Sequence, residues 1–187
     1  MSMIDDVFKD LRESIAKAHE ALKRDLAKVR TGRANAAMLE GVRVDYYGTT
    51  TPLAQMASIN VPEPRLLTVK PWDKSVMKAV EKAIRESELG FNPQIDSDII
   101  RVPIPALTEE RRKEMVKLAK KQGEEAKVSV RGARRDALEL LSELAKDGEV
   151  SEDEIDRAKK KAEEIVAEGT KQVDSFVAHK EKDILEV

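Results

Sequence analysis

Three arginines at helical spacing are the side chains of this 187-residue chain best suited to binding another molecule. Arg131, Arg134 and Arg135 occupy positions i, i+3 and i+4 of a long helical pattern, so Arg131 shares a helix face with each of the others. A guanidinium group pairs with phosphate oxygens through parallel hydrogen bonds and also stacks on bases. The spacing is therefore suited to a contact with a phosphate backbone such as that of RNA.

Lysines extend these arginines into a longer positive surface. Residues 111–135 carry ten Lys and Arg against three Glu, whereas residues 136–168 carry twelve Asp and Glu against five Lys and Arg. The net charge of the whole chain is only −2, so it conceals a positive and a negative surface, and the positive one should attract a polyanion. We call the following residues the basic stripe: Lys113, Lys117, Lys120, Lys127, Arg131 and Arg134.

The same cations could instead form ion pairs inside the molecule. The first predicted helix carries Asp5 and Asp6 and should run antiparallel beside this region. Charge alone favours such intramolecular pairing slightly over RNA binding, although each exposed pair contributes little stability.

Three long amphipathic helices must position these charges. Apolar residues recur at steps of three, four and four, a period of about 3.67 residues per turn that predicts nearly straight helices or a slight right-handed coil. An ordinary coiled coil is the alternative, and the short connection at Gly148 makes the last two helices antiparallel neighbours. The predicted helices run from about Asp5 to Arg30 with Gly32 as cap, from Leu107-Thr108 to Asp147-Gly148, and from the capping box Ser151–Glu154 to about Ile184.

The segment between the first two helices has a different pattern. Apolar alternation indicates strands over 42–47, 57–61, 66–70 and 99–102, and Asp73 should cap a helix that runs to about Glu88. Pro62 and Pro64 are expected between strands, where they interrupt no hydrogen-bonded ladder. With nine basic and nine acidic residues, residues 33–105 carry no net charge.

These patterns predict an α+β fold with two domains. An elongated antiparallel three-helix bundle would be formed by residues 1–31 and 106–187, with a small β/α/β domain of residues 32–105 inserted into it. Glycine at one chain crossing and two prolines at the other predict a hinge between the domains. The hinge would consist of Arg30, Thr31, Gly32, Arg33, Pro103, Ile104 and Pro105, although Arg30 and Arg33 could equally contact RNA.

Composition argues against several classes of function. The chain has no cysteine, which excludes disulfides and thiolate metal sites and favours a cytoplasmic protein. We find no secretory signal, no membrane-spanning stretch and no phosphate-cradling glycine loop, so GTP hydrolysis by this chain is not expected. No nucleophile–base pair or metal cluster lies near either crossing, which disfavours an enzyme, and nothing indicates self-association, so a monomer is expected.

The isolated histidines and the aromatic residues predict structural positions. His19 and His179 are expected on the surface or in a helix seam and not as metal ligands. Tyr46, Tyr47 and Trp72 could stack on bases, but they are not interleaved with basic residues, so one or two of them are expected to pack in the core of the inserted domain.

The chain resembles the ribosome recycling factor family over essentially its whole length. Each resembling segment is weak alone, but eight of them in the right order are specific. The segments are Val29–Ala34, Val44–Thr49, Thr51–Leu53, Val80–Ile84, Leu89–Pro93, Ile100–Pro105, Leu107–Lys113 and Val130–Asp136.

The resemblance implies an L-shaped arrangement of the two domains and a function on the post-termination ribosome. The bundle would bind large-subunit RNA, and the factor would separate the subunits together with elongation factor G, which uses the GTP. Among the matching arginines Arg112, Arg131 and Arg134, we expect Arg134 to matter most. The predicted ribosome-binding residues are Arg112, Lys113, Lys117, Lys120, Lys127, Arg131, Arg134 and Arg135.

Two positions depart from the form expected of the family. Gly132-Ala133 stands where an Asn and an aliphatic residue are common, and a glycine within a helix costs about 1 kcal/mol relative to alanine. The Asp96-Ser97-Asp98 loop lacks an expected glycine. The competing hypothesis, an RNA-binding or chaperone-like protein without splitting activity, can be separated from recycling only by a functional test, because both predict salt-dependent RNA binding.

Overall fold

Helices and antiparallel sheets occupy separate parts of the chain, which confirms the predicted α+β class. In the computed structural model, which describes residues 2–186, the chain divides into two compact units. One contains the residues up to Arg30 together with Glu110–Glu186, and the other spans Thr31–Glu109. The domain boundaries predicted from the sequence lie at 31/32 and 105/106. The elements are α1 (Met3–Ala27), β1 (Arg43–Tyr46), β2 (Thr49–Pro52), β3 (Ala57–Glu63), β4 (Leu66–Pro71), α2 (Met77–Glu86), β5 (Gln94–Asp96), β6 (Ile99–Pro103), α3 (Glu109–Lys146) and α4 (Glu152–Leu185).

The first helix begins and ends earlier than its apolar pattern predicted. The Ser2 hydroxyl accepts a hydrogen bond from the backbone N–H of Asp5 at 3.1 Å, and the Asp5 carboxylate accepts one from the N–H of Ser2 at 3.0 Å. This reciprocal capping box starts α1 at Met3. The helix ends at Ala27, so Gly32, whose φ is +77°, lies beyond it and does not cap it.

The two longest helices have the ends that the sequence predicted. Ser151 and Glu154 form the expected capping box, in which the Ser151 hydroxyl accepts from the N–H of Glu154 at 3.3 Å. Gly148 has a φ of +71°, the left-handed conformation that commonly follows a helix end, and α3 ends just before it at Lys146. With 38 residues, α3 is about 57 Å long.

The core of the helical unit is a narrow seam rich in small side chains. Two glycines show how closely its helices approach. A Cβ added to Gly123 of α3 would lie 2.5 Å from Cγ2 of Val177, and one added to Gly169 of α4 would lie 2.8 Å from Cγ2 of Ile15. The buried residues are Val7, Leu11, Ile15, Leu22 and Leu26 of α1, Ala119, Ala126, Val130, Ala137 and Leu141 of α3, and Ile155, Ala158, Ala162, Val166 and Val173 of α4.

Antiparallel strands and the short helix α2 enclose the core of the second unit. The strands pair in the order β3-β4-β6-β5, and β1 and β2 form a separate hairpin. The four predicted strands are present. Strands β2 and β5 were missed because their residues are mostly exposed and polar and show no apolar alternation. The buried residues include Leu39, Val44, Leu53, Leu67, Val69, Val80, Ile84, Ile100 and Val102.

Pro62 lies inside β3, contrary to the prediction that it would stand between strands. β3 is an edge strand, and its pairing with β4 shifts register between Asn60 and Glu63. A proline has no N–H to contribute to a ladder, and an irregular edge strand is where that loss is tolerated. Pro64 lies in the turn between the two strands, as expected.

The segments predicted as a hinge are partly anchored in the sheet unit. Pro103 is the last residue of β6 and pairs with Leu66, and Ile104 donates its N–H to the carbonyl oxygen of Arg65 at 2.8 Å. Ile104 is also buried in the core of this unit. The connection from the sheet unit to α3 therefore leaves the strand pairing only at Pro105.

The Asp96–Asp98 loop is a tight turn between β5 and β6. Ser97 has a φ of +56°, in the left-handed region that glycine adopts most easily. Nε of Arg101 donates to Oδ2 of Asp96 at 3.0 Å, and Lys70 lies 3.3 Å from Asp98. These contacts hold the turn from both sides although it lacks glycine.

Asp73 begins the helical segment of the sheet unit, as predicted. Its Oδ1 accepts from the N–H and the hydroxyl of Ser75, at 2.9 and 2.6 Å, and its Oδ2 accepts from the hydroxyls of Tyr46 and Tyr47, each at 3.3 Å. These hydrogen bonds, those from Ser75 first, hold the pKa of Asp73 below its usual 3.8. The segment starts as a short 3-10 turn and ends at Glu86, before the predicted Glu88.

We predict opposite effects of alanine at two glycines of α3. Gly132→Ala should stabilise the protein by about 0.5–1 kcal/mol, because the position is helical, nothing lies within 4 Å of the added methyl group, and alanine favours helix. Gly123→Ala should destabilise it by about 1–3 kcal/mol despite the same gain in helix propensity, because the methyl group would overlap Val177. Urea unfolding followed by helical circular dichroism measures both, and equal effects of the two changes would contradict this packing.

We predict that the contribution of the Asp73 charge to stability depends on pH. Asparagine caps a helix as well as aspartate does, so Asp73→Asn keeps the cap and removes the charge together with the acceptor that Oδ2 offers to the hydroxyls of Tyr46 and Tyr47. Because the folded-state pKa of Asp73 is lowered, the charge stabilises the protein above its usual pKa, and this stability is lost as the pH falls through the lowered value. Thermal midpoints should be higher for the wild type at neutral pH and should converge with those of the variant below about pH 4. A constant difference across the series would refute the assignment.

Candidate nucleic-acid interface

The basic stripe lies along α3, and most of its cations, together with Arg135, fall into two rows. At about 100° per residue, Lys120, Lys127 and Arg134 turn progressively towards α4, and we call them the paired row. Three more of the predicted ribosome-binding cations, Lys117, Arg131 and Arg135, are exposed, and Lys117 and Arg135 have the same direction because 18 residues separate them. We call these three the outer row.

Each member of the paired row forms an ion pair with a carboxylate of α4. The Nζ–carboxylate distances are 3.8 Å for Lys120–Glu181 and 2.6 Å for Lys127–Asp174. Nη2 of Arg134 lies 2.6 Å from Oε1 of Glu163. The residue numbers of the partners on α4 fall as those of the cations on α3 rise, which shows that the two helices are antiparallel, as predicted. We call this set of three pairs the ion-pair ladder.

Arg134 and Glu163 form the most extensive pair of the ladder. Nε of Arg134 lies 2.9 Å from both carboxylate oxygens, and Nη2 donates to Oε1 at 2.6 Å. The hydrogen bonds from Arg134 hold the pKa of Glu163 below its usual range, and the same bonds raise the pKa of Arg134. Both side chains are nonetheless nearly half exposed, at 44% and 47%. Arg134 therefore lies at the surface with one edge already bound.

Lys127 is more enclosed than the other two cations. Its side chain is only 22% exposed and lies between Asp174 and Glu124, at 2.6 and 3.6 Å. The hydrogen bond to Asp174 is the main cause of a raised pKa for Lys127. The contacts give Lys127 a role in joining α3 to α4, which leaves it less available to RNA than the sequence analysis assumed.

The outer row contains the cations that face solvent. Lys117 and Arg131 are exposed, and neither forms an ion pair with any residue between positions 2 and 186. Arg135 is 78% exposed and its only ion pair in that range is with the adjacent Asp136, at 3.6 Å. Val128, 58% exposed, lies on the same side of α3. A straight helix presenting such cations can follow a run of phosphates.

The cations at the start of α3 and those before the sheet unit have different surroundings. Lys113 is exposed, whereas Arg112 is partly buried. Arg30 is exposed. The backbone N–H of Arg33 donates a hydrogen bond to the Thr31 hydroxyl at 3.2 Å.

The carboxylates that complete the ladder were not predicted from the sequence. Asp5 and Asp6 were predicted as possible partners, but Asp5 instead forms the capping box with Ser2. A signal for the true partners was available. In an antiparallel pair of helices, contacting residues lie at nearly equal distances in sequence from the connection, and Glu163, Asp174 and Glu181 meet that condition.

The aromatic residues and histidines fall mostly outside the basic surface. Tyr46 packs against the sheet core, which agrees with the prediction that one or two of the three aromatic residues would do so, whereas Tyr47 and Trp72 are 74% and 69% exposed. His19 lies in the α1–α4 seam and donates from Nε2 to the carbonyl oxygen of Gly169 at 2.8 Å, provided that this nitrogen carries the proton. His179 is 78% exposed.

Among residues 2–186, no three His, Cys, Asp or Glu side chains converge as a metal site would require. In the same range, each helix is too short or too polar to cross a membrane.

Comparison with known proteins gives consistent results from sequence and structure. The ribosome recycling factor family model matches residues 22–185. A ribosome-recycling factor of Sorangium cellulosum (strain So ce56) is 68% identical over 185 residues, covering 99% of this chain and 100% of that protein. One from Anaeromyxobacter sp. (strain K) is 53% identical over 186 residues, covering 100% and 99%.

Solved structures extend the similarity to the fold. The solution structure of a ribosome recycling factor superposes with a TM-score of 0.74 at 40% identity, covering 100% of both chains. A second is described as the T. thermophilus ribosome recycling factor and the E. coli elongation factor G bound to the E. coli post-termination complex; its TM-score is 0.65 at 42% identity, covering 98% of this chain and 100% of that one. From the family match and these full-length similarities, we conclude that the chain belongs to the ribosome recycling factor family.

Proposed function

We propose that this chain binds the post-termination ribosome and, with elongation factor G and GTP, dissociates it into subunits for another round of synthesis. The observation that carries the proposal is full-length membership of the ribosome recycling factor family, together with a similar factor described on the post-termination complex with elongation factor G. The chain would act as a translation factor in the cytoplasm and not as a catalyst.

The helical unit would make the main contact with ribosomal RNA, chiefly of the large subunit. The exposed outer row of α3 supports this assignment, because Lys117 and Arg131 have charges that no carboxylate within residues 2–186 neutralises. Long-range attraction to phosphates depends on such uncompensated charge. The sheet unit, with no net charge over residues 33–105, offers no comparable attraction.

The chemical work would be done by the partner. We propose that the chain needs no cofactor of its own and that elongation factor G binds and hydrolyses the GTP. In support, the sequence has no loop of the type G-x-x-x-x-G-K-[ST]. Its part in the reaction would be to bind and to transmit force along stiff helices.

The deciding experiment is sucrose-gradient sedimentation of post-termination ribosomes with this protein, elongation factor G and GTP, and with initiation factor three present to prevent reassociation. Free subunits that appear only when the chain is added would establish recycling. Intact ribosomes that carry the protein would instead identify an RNA-binding protein without splitting activity.

We predict that Arg131→Ala weakens ribosome binding several-fold and lowers its dependence on salt. A phosphate contact releases counterions, so losing one should reduce the slope of log K against log salt by about one unit. Lys160→Ala is the matched control, since Lys160 is an exposed cation of α4 within the acidic part of the sequence and should leave the slope unchanged. Co-sedimentation over a salt series measures both slopes, and an equal decrease in the two variants would show only a loss of general charge.

A further inference from the structure

Arg134 presents a free edge because Glu163 occupies a different one. The hydrogen bonds to Glu163 use Nε–H and one N–H of Nη2. A guanidinium group has five N–H donors in a fixed fork, so the two N–H groups of Nη1 and the second N–H of Nη2 remain. No residue between positions 2 and 186 accepts from Nη1 in the structure. The edge formed by Nη1 and Nη2 is thus open to a bidentate acceptor such as phosphate.

We infer that Glu163 is a positioning residue for RNA binding: it holds the guanidinium group of Arg134 by one edge so that the opposite edge is presented to a phosphate. The inference rests on the proposed function, because it assumes that α3 meets ribosomal RNA. A negatively charged residue of α4 would thus assist the binding of RNA, although its charge alone would repel RNA.

The physical basis is the cost of ordering a long side chain. A free arginine loses rotamer freedom when it binds, which costs affinity. In this structure much of that order is already imposed before binding, by two short contacts to a carboxylate on a neighbouring helix. Glu163 itself is fixed by its place on α4, whose seam residues Ala162 and Val166 are buried beside it. Arg134 is therefore ordered before RNA binds, and the hydrogen bonds from Arg134, which lower the pKa of Glu163, favour the ionised carboxylate that holds it.

For Glu163→Ala, a positioning role and simple electrostatics predict opposite changes in the affinity for RNA. Removing a carboxylate beside an RNA-binding surface increases the net positive charge and should strengthen binding to a polyanion. If Glu163 positions Arg134, Glu163→Ala should instead weaken binding, by about three- to tenfold, the effect expected when one long side chain must be ordered on binding. A decrease in affinity cannot arise from the change in charge.

A matched control is available at the next residue of α4. Glu164 carries the same charge but contacts Lys161 at 3.4 Å and lines an open groove between α1 and α4, on a different side of the helix from Arg134. Glu164→Ala removes one carboxylate at nearly the same height on α4 and leaves Arg134 as it is. Its affinity for ribosomes should be equal to that of the wild type or higher.

A double-mutant cycle tests whether the effect passes through Arg134. Equilibrium co-sedimentation with post-termination ribosomes would be measured for the full chain and for Glu163→Ala, Glu164→Ala, Arg134→Ala and the double variant Arg134→Ala with Glu163→Ala. In the Arg134→Ala background, removal of Glu163 should no longer weaken binding and should leave it equal or slightly stronger. Circular dichroism and thermal midpoints would establish that each variant is folded.

The outcomes separate this inference from the proposed function. If the wild type does not bind ribosomes, the proposed function fails. If the wild type binds and Glu163→Ala binds equally well or more tightly, Glu163 only neutralises Arg134 and the positioning role is refuted. A loss that persists in the Arg134→Ala background would also refute it, because the effect would then not pass through the arginine.

Discussion

The close approach of the long helices is the constraint on which the rest of the structure depends. Their seam is built largely from alanine, valine and glycine, and no side chain would fit at Gly123 or Gly169 without displacing Val177 or Ile15. Small side chains bring helix axes together, so residues at the margins of the seam come within ion-pair distance. The ion-pair ladder therefore follows from packing as much as from charge.

This arrangement sorts the cations of α3 into two kinds. Lys120, Lys127 and Arg134 pair with carboxylates of α4, and the Lys127 side chain is only 22% exposed. Lys117 and Arg131 are exposed and have no ion-pair partner among residues 2–186. Long-range attraction to phosphate should come from these unpaired cations. An oriented guanidinium group such as that of Arg134 can instead fix where and how a phosphate binds. Of the two alternatives that the sequence left open, intramolecular pairing holds for the paired row, and RNA binding is proposed for the outer row and for the open edge of Arg134.

The sequence predicted what depends on local pattern and missed what depends on tertiary contacts. Helix seams, the capping box at Ser151 and the left-handed Gly148 follow from periodicity and turn chemistry, so they were found. The capping box at Ser2 was missed because an aspartate takes the place of the usual glutamate or glutamine. Strands β2 and β5 carry no apolar alternation, and the exposure of Tyr47 and Trp72 depends on which face of a small sheet is covered.

The spacing of the ion-pair ladder also helps to determine how α3 and α4 align along their length. Sliding α4 by one turn along α3 would move Val177 away from Gly123, the position that leaves room for it. The three charged contacts distinguish the registers as well, because a shift of one turn would separate Lys120, Lys127 and Arg134 from their carboxylates at the same time. Individually weak pairs on the surface can in this way select one register of the bundle, even where they add little to its free energy of unfolding.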